Sequence, residues 1–401
     1  MVGIVVLLFA VTVKQDQAPL RESCGDSEPV LTKMAAGTPV EVRFVLSDGS
    51  DCYKIAATVD GKQRVGYVTK DELSGLENFD QQRRDAASVT GSSTAASVPV
   101  RQVTIPRSND PLLGSIVDLL NTNQPAKALE RIEPLLKLNP RNAILLDLAG
   151  MASYRTDDVR HALEYWKLSL EIQPDDRLAA MYRQVEHEAS ADKSGDKLYG
   201  MRVALRYEGS SLPADTARSM LGVLDEQFAH ISDQLGCATD ERITAVVQSR
   251  QAYLQTTGAA EWSGGQYDGR IHVSADASTL TPQMRETLAH EMVHACLANI
   301  GSFPAWVHEG LAQKLSGARL PASARAELQQ AIAAGAIPKL EQMGPSFSRL
   351  DSTHARLAYE LALAAAEVIV DQHAGYGLRN IVHNPDMLAR ITPEIDKALG
   401  L

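Results

Sequence analysis

Read for the spacing of its apolar residues, the chain changes character several times. Met1–Val13 is a continuous apolar run, about the length of a signal-peptide core and too short to span a bilayer comfortably. From Pro29 to Asn78 apolar and polar residues alternate. Val40–Phe44, Cys52–Val59 and Arg64–Val68 read as short strands, separated by turns at Ser47-Asp48-Gly49 and Asp60-Gly61-Lys62. Asp85–Pro99 is Ala, Ser, Thr and Val with almost no charge, a composition that cannot bury enough to fold. The period then lengthens to that of helices. Asn139-Pro140 returns 34 residues later as Gln173-Pro174, and Ala128, Leu129 and Ile132 align at the same interval with Ala162, Leu163 and Trp166. Two helical repeats are expected at about Asn109–Pro140 and Ala143–Pro174, with Ala149-Gly150 where the helices touch and a further helix in Asp175–Glu188. Two repeats bury little alone, so they are expected to dock on another domain or to bind a partner peptide in their groove. Tyr154, Tyr165 and Trp166 read as repeat core.

A hinge at Ala189–Asp196 opens the C-terminal half. Leu198–Tyr207 alternates as a strand, Pro213–Leu235 reads as a helix, Ile243–Gln248 as a second strand, and Asp268–Ser274 as a turn into a third. Thr281-Pro282 then supplies an N-cap followed by proline at the first helical position. Met284, Leu288, Met292, Val293 and Leu297 follow at helical spacing and bury one side of that helix. Gly301 and Pro304 break it, and Ala305–Leu315 starts another. Leu357–Val370 and Gly377–Val382 read as closing helices.

The first of these helices carries His290-Glu291-Met292-Val293-His294. Residues four apart lie one above the other on a helix, so His290 and His294 can point two imidazoles at one zinc ion, with Glu291 beside them to take a proton from an activated water. Glu309, on the next helix, can supply the third ligand and leave a fourth position open, as catalytic rather than structural zinc requires. His308 is also a ligand type. Neighbouring helical residues point about 100° apart, so His308 and Glu309 are not expected to reach the same ion.

Residues 197–401 resemble the gluzincin metallopeptidases, and within them the bacterial peptidase MA-like group. The matching pieces are Gly265–Ile271, Leu288–His294, Pro304–Ala312 and Ala358-Tyr359-Glu360. The resemblance implies an α+β zincin-like domain and one zinc per chain held by His290, His294 and Glu309. It also implies Glu291 as general base and a substrate-aligning edge strand at Arg270–Val273. It favours Glu309 over His308, with Gly310 allowing close helix approach. Tyr359 is either a stabiliser of the oxyanion or a packing residue of its helix. Upstream, residues 28–80 resemble small Src-homology-3-type barrels of bacterial envelope proteins, which implies a peptidoglycan or peptide ligand, and residues 109–190 resemble tetratricopeptide repeats. The expected architecture is multidomain: an apolar segment (1–20), a small all-β barrel, a disordered linker (81–108), an α-helical array and the peptidase domain.

Composition changes this picture little. The chain has 401 residues, 44% hydrophobic, enough for real cores in two or three domains. A net charge of −11 with no basic stripe argues against a nucleic-acid partner. The apolar N-terminus points to export, into the periplasm or cell envelope, although no basic residue precedes it and no clean cleavage site follows. An uncleaved anchor or a buried strand are the alternatives. The four cysteines either pair as Cys24–Cys52 and Cys237–Cys296, as export permits, or remain four buried thiols. The expected activity is zinc-dependent hydrolysis of peptide or protein substrates, with self-processing in Ala86–Pro99 a further option. The competing expectation is an envelope scaffold of little or no activity that binds partners through repeats and barrel.

Overall fold

The computed structural model describes residues 11–21, 29–45, 52–59, 61–76, 110–191, 195–257, 263–275, 279–344, 347, 352–372 and 376–401. The chain divides into two compact units, Met1–Gly91 and Ser92–Leu401.

The first unit is β in its described residues apart from one 3-10 turn at Lys70–Glu72. Strands β1 (Thr12–Val13), β2 (Ala18–Arg21), β3 (Val30–Met34), β4 (Val40–Val45), β5 (Cys52–Val59), β6 (Lys62–Thr69) and β7 (Leu73–Ser74) form a five-stranded sheet of order β3-β2-β6-β5-β4 and a β1–β7 ribbon. The sheet is open at β3 and β4 among these residues, where a closed barrel was expected. Every pairing is antiparallel. Gly66 is where β2 crosses β6: a Cβ there would lie 2.6 Å from the Arg21 carbonyl and 2.8 Å from Leu20 Cγ. The unit begins earlier than residue 28. Val11, Val13, Ala18 and Leu20 belong to its core with Ile55, Val68 and Leu73. The end of the apolar N-terminal run is therefore strand, because β7 and the segment before β4 supply its backbone partners. Residues 1–10, Cys24 and the expected linker lie outside the described residues.

The second unit joins the regions expected as separate domains. Five helices come first: α1 (Pro111–Asn121), α2 (Pro125–Leu138), α3 (Ala143–Arg155), α4 (Val159–Ile172) and α5 (Asp176–Ala191). Their starts are set by caps, Asp110 for α1, Asn142 for α3 and Asp158 for α4, each accepting from backbone N–H groups of the first turn. Gly150 lies against the Trp166 indole, so any side chain there would collide with it. Trp166 and Tyr154 are buried, and Tyr165 is partly buried. The expected hinge is shorter than Ala189–Asp196, since α5 runs to Ala191 and the next strand begins at Gly195.

A five-stranded sheet follows, of order β11-β12-β10-β9-β8, from β8 (Gly195–Tyr199), β9 (Val203–Glu208), β10 (Ile243–Gln248), β11 (Gly265–Tyr267) and β12 (Ile271–Ser274). The single strand expected over Leu198–Tyr207 is a hairpin. Its turn is held by Asp225, whose carboxylate accepts from the Met201 and Arg202 amides. β9, β10 and β12 run parallel and the outer strands antiparallel. One sheet face presents Val203, Leu205, Ile243, Ala245, Val247, Ile271 and Val273 to the main core, formed with α6 (Ala214–Leu235) and α8 (Pro282–Ile300). Helix α7 (Arg250–Thr257) precedes β11. The other face carries Arg206, Thr244 and His272, and the helical array covers it. Thr244 Oγ1 donates to the Arg155 carbonyl, and Arg206 pairs with Asp157 and Glu188. The chain closes with α9 (Ala305–Leu315), α10 (Ala322–Ala333), α11 (Ser352–Gln372), α12 (Tyr376–His383) and α13 (Pro385–Leu399). A Cys237–Cys296 disulfide ties the end of α6 to α8. No helix among the described residues is long and apolar enough to cross a membrane.

Candidate metal centre

Helix α8 begins as its sequence dictates, with the Thr281 hydroxyl accepting from the Met284 amide and Pro282 in the first turn. It does not bury one side only. Every residue from Thr287 to Ala298 is buried, because β11, β12, α6, α9 and α12 surround it. Three titratable groups, His290, Glu291 and His294, are thereby drawn into an apolar interior.

Helix α9 brings Glu309 to the two imidazoles. His290 Nε2 and His294 Nε2 are 3.1 Å apart, and Glu309 Oε2 lies 3.7 and 3.8 Å from them. Three donors each about 2.0–2.1 Å from one tetrahedral ion are about 3.3 Å apart, close to this triangle. All three residues are buried, and they could hold a metal ion. Gly310 permits the approach of α9, but to α11 rather than to α8: a side chain there would run into the Ala362 carbonyl oxygen. Gln313 secures the same contact, its Nε2 donating to the Glu309 and Tyr359 carbonyls.

Burial dominates the electrostatics. It pushes the Glu291 carboxyl well above the usual carboxylate range, with the Glu309 charge adding to the effect. Burial, then the neighbouring His290 and His308, holds His294 well below its usual value. Burial alone takes His308 down to about 3. A neutral imidazole is the form that binds a cation. Both Glu291 carboxylate oxygens are buried without a hydrogen-bond partner among the described residues. An unpaired buried carboxylate is costly, and a cation beside it offsets that cost. The donors, their spacing and this orphaned acid all fit a divalent metal.

His308 stands apart from the triangle, its ring 5.7 Å from that of His294 and edge-on to Phe303 at 5.8 Å. Tyr359, on α11, is buried and meets Phe347 edge-on at 5.3 Å. Burial raises its phenol well above the usual value, and the Glu309 and Glu291 charges raise it further.

The edge strand is corrected. Ile271–Ser274 is internal, paired with β10 on one side and β11 on the other, and the sheet ends at Gly265–Tyr267. Asp268-Gly269-Arg270 turns the chain back on itself, with Gly269 at φ 107°. An Asp-Gly step between two short alternating segments is a hairpin signal that sequence reading passed over. β11 lies against the motif helix: a Cβ on Gly265 would be 2.6 Å from Glu291 Oε1 and 2.9 Å from Thr287 Cγ2. No family model, curated protein or solved structure matches this chain.

Proposed function

We propose that this chain is a metal-dependent peptidase that uses zinc, held by His290, His294 and Glu309, to hydrolyse peptide bonds in the bacterial cell envelope. The observation that carries the reading is the convergence of these three buried ligand atoms from two helices, with Glu291 beside them. Two imidazoles and one carboxylate suit zinc, and three protein ligands leave a position for water. Bound there, the ion would polarise a substrate carbonyl and lower the pKa of water.

The chain's own groups supply the rest. Glu291 takes the proton from the attacking water and delivers it to the leaving amine. Tyr359 donates a hydrogen bond to the developing oxyanion. The outer side of β11, the last strand of the sheet among the described residues and one residue layer from Glu291, would align an extended peptide by backbone pairing. The finer fold follows the same reading: a gluzincin of the peptidase MA-like type, a tetratricopeptide array, and a Src-homology-3-type sheet that takes peptidoglycan or a peptide. The Cys237–Cys296 disulfide supports an exported location. The intact ligand set and base favour catalysis over an inactive scaffold.

Metal analysis of purified wild type and three variants tests the site. Near one zinc per chain is expected, lost in His290→Ala and Glu309→Ala and kept in His308→Ala. Cleavage of a peptide library should be abolished by a chelator and by Glu291→Gln, which should retain zinc. Zinc without any cleavage would return the scaffold; wild-type cleavage by Glu291→Gln would sink the mechanism.

A further inference from the structure

The sheet face turned away from the core is lined by charge, and its centre is Arg270. This guanidinium is completely buried in the turn between β11 and β12. It lies 3.7 Å over the Tyr154 ring, donates from Nη1 to Asp157 at 3.1 Å, and from Nη2 to Glu188 at 2.8 Å. All three partners come from the helical array: Tyr154 from α3, Asp157 from the α3–α4 turn, Glu188 from α5. Asp157 holds φ 61°, a conformation Asp tolerates better than most residues. Its carboxylate also receives Arg206 and Lys197.

The rest of the turn is gripped from the same side. Asp268 accepts from the Tyr154 hydroxyl at 2.7 Å and pairs with His272 at 3.2 Å. Gly269 lies against Arg155, where a Cβ would meet its Nε at 2.6 Å. None of these residues touches the metal triangle. The hairpin they hold lies beside it, with Gly265 against Glu291.

We propose that Arg270 is a positioning residue, through which the helical array fixes the β11–β12 hairpin, and with it the substrate-aligning edge beside Glu291. The array is then a structural part of the site rather than an appended recognition module. The claim about the hairpin stands on the contacts alone. The claim about substrate alignment rests on the peptidase reading.

The experiment uses the full chain with Arg270→Gln, Arg270→Lys and Glu188→Gln, and reads amide hydrogen exchange with and without zinc. Arg270→Gln leaves Asp157 and Glu188 buried with one cation fewer, so exchange in Gly265–Val273 should quicken by at least about tenfold while α6 and α8 stay protected. Glu188→Gln should give a smaller change confined to the same segment. Arg270→Lys, which keeps the charge, should recover part of the protection. Zinc content should be unchanged in all three, since no ligand moves. With an active wild type, KM for an extended peptide should rise several-fold in Arg270→Gln, with a smaller loss in kcat. Unchanged hairpin exchange overturns the proposal, as does protection lost equally from every segment in all three variants. An inactive wild type whose hairpin still loosens selectively would fail the peptidase reading and leave the positioning role standing.

Discussion

At the scale of the residue, the site turns on atoms that leave no slack. Gly310 touches the Ala362 carbonyl, so Gly310→Ala must push α9 away from α11 and take Glu309 with it. Overpacking of this kind costs about 1–3 kcal/mol. A competition titration against a chromophoric chelator should show zinc affinity lower by about tenfold; unchanged affinity would mean that α9 slides without moving its ligand. Glu291→Gln removes only a proton carrier, and kcat should fall by about 10²–10⁴-fold with zinc retained, read from initial rates. His290, His294 and Glu291 were legible because helical spacing alone stacks residues four apart. Glu309 was legible through its family-like setting. Tyr359 was not settled by sequence, because the distance between two helices is written in tertiary packing and not in spacing. The Arg270 cluster was invisible for the same reason, its partners lying 82 and 113 positions away.

Among elements, α6, α8 and α9 fell close to their expected ranges because a proline marks the start of each and the apolar period carries it on. Helices α7, α10 and α13 were not anticipated, and the other misreadings have tertiary causes. The β8–β9 turn is made by a carboxylate from α6, and β11 was hidden in what looked like a loop before an Asp-Gly turn. Helix α8 looked one-sided because its polar face carries the ligands, which are buried too. The disulfide between α6 and α8 spans 59 residues of chain, and its absence enlarges the unfolded ensemble. Cys237→Ala/Cys296→Ala should lower unfolding stability by about 2–4 kcal/mol, seen as an earlier urea midpoint in non-reducing buffer. An unchanged midpoint would show that packing around α8 suffices without the link.

For the whole second unit, pH should act through two sets of groups. Asp157 and Glu188 are buried, which alone would raise them, but Arg206 and Arg270 outweigh burial and hold both below the usual carboxylate range. Groups whose folded pKa is depressed bind fewer protons folded than unfolded, so their stabilisation is complete above about pH 4 and is lost below it. His308, at about 3, contributes in the same sense, beginning near its unfolded value of about 6.5. His294, also held low by burial, adds to this loss. Glu291 has a raised folded pKa and acts in the opposite sense, gaining stability as pH falls towards its unfolded value of about 4.3, so the net loss in metal-free protein should be steep only below about pH 4. Urea midpoints should fall steeply below about pH 4, and His308→Asn should raise the pH 5 midpoint relative to the pH 7 midpoint when compared with wild type. The same relation between the two midpoints in variant and wild type would contradict the histidine contribution. The sealing of His294 and Glu309 by their surroundings has a kinetic corollary. With the protein side closed, a chelator meets the ion only at the position left open for water, and it has to bind there before the three protein ligands let go. The rate of zinc loss should then level off as chelator concentration rises, once every chain holds chelator at that position.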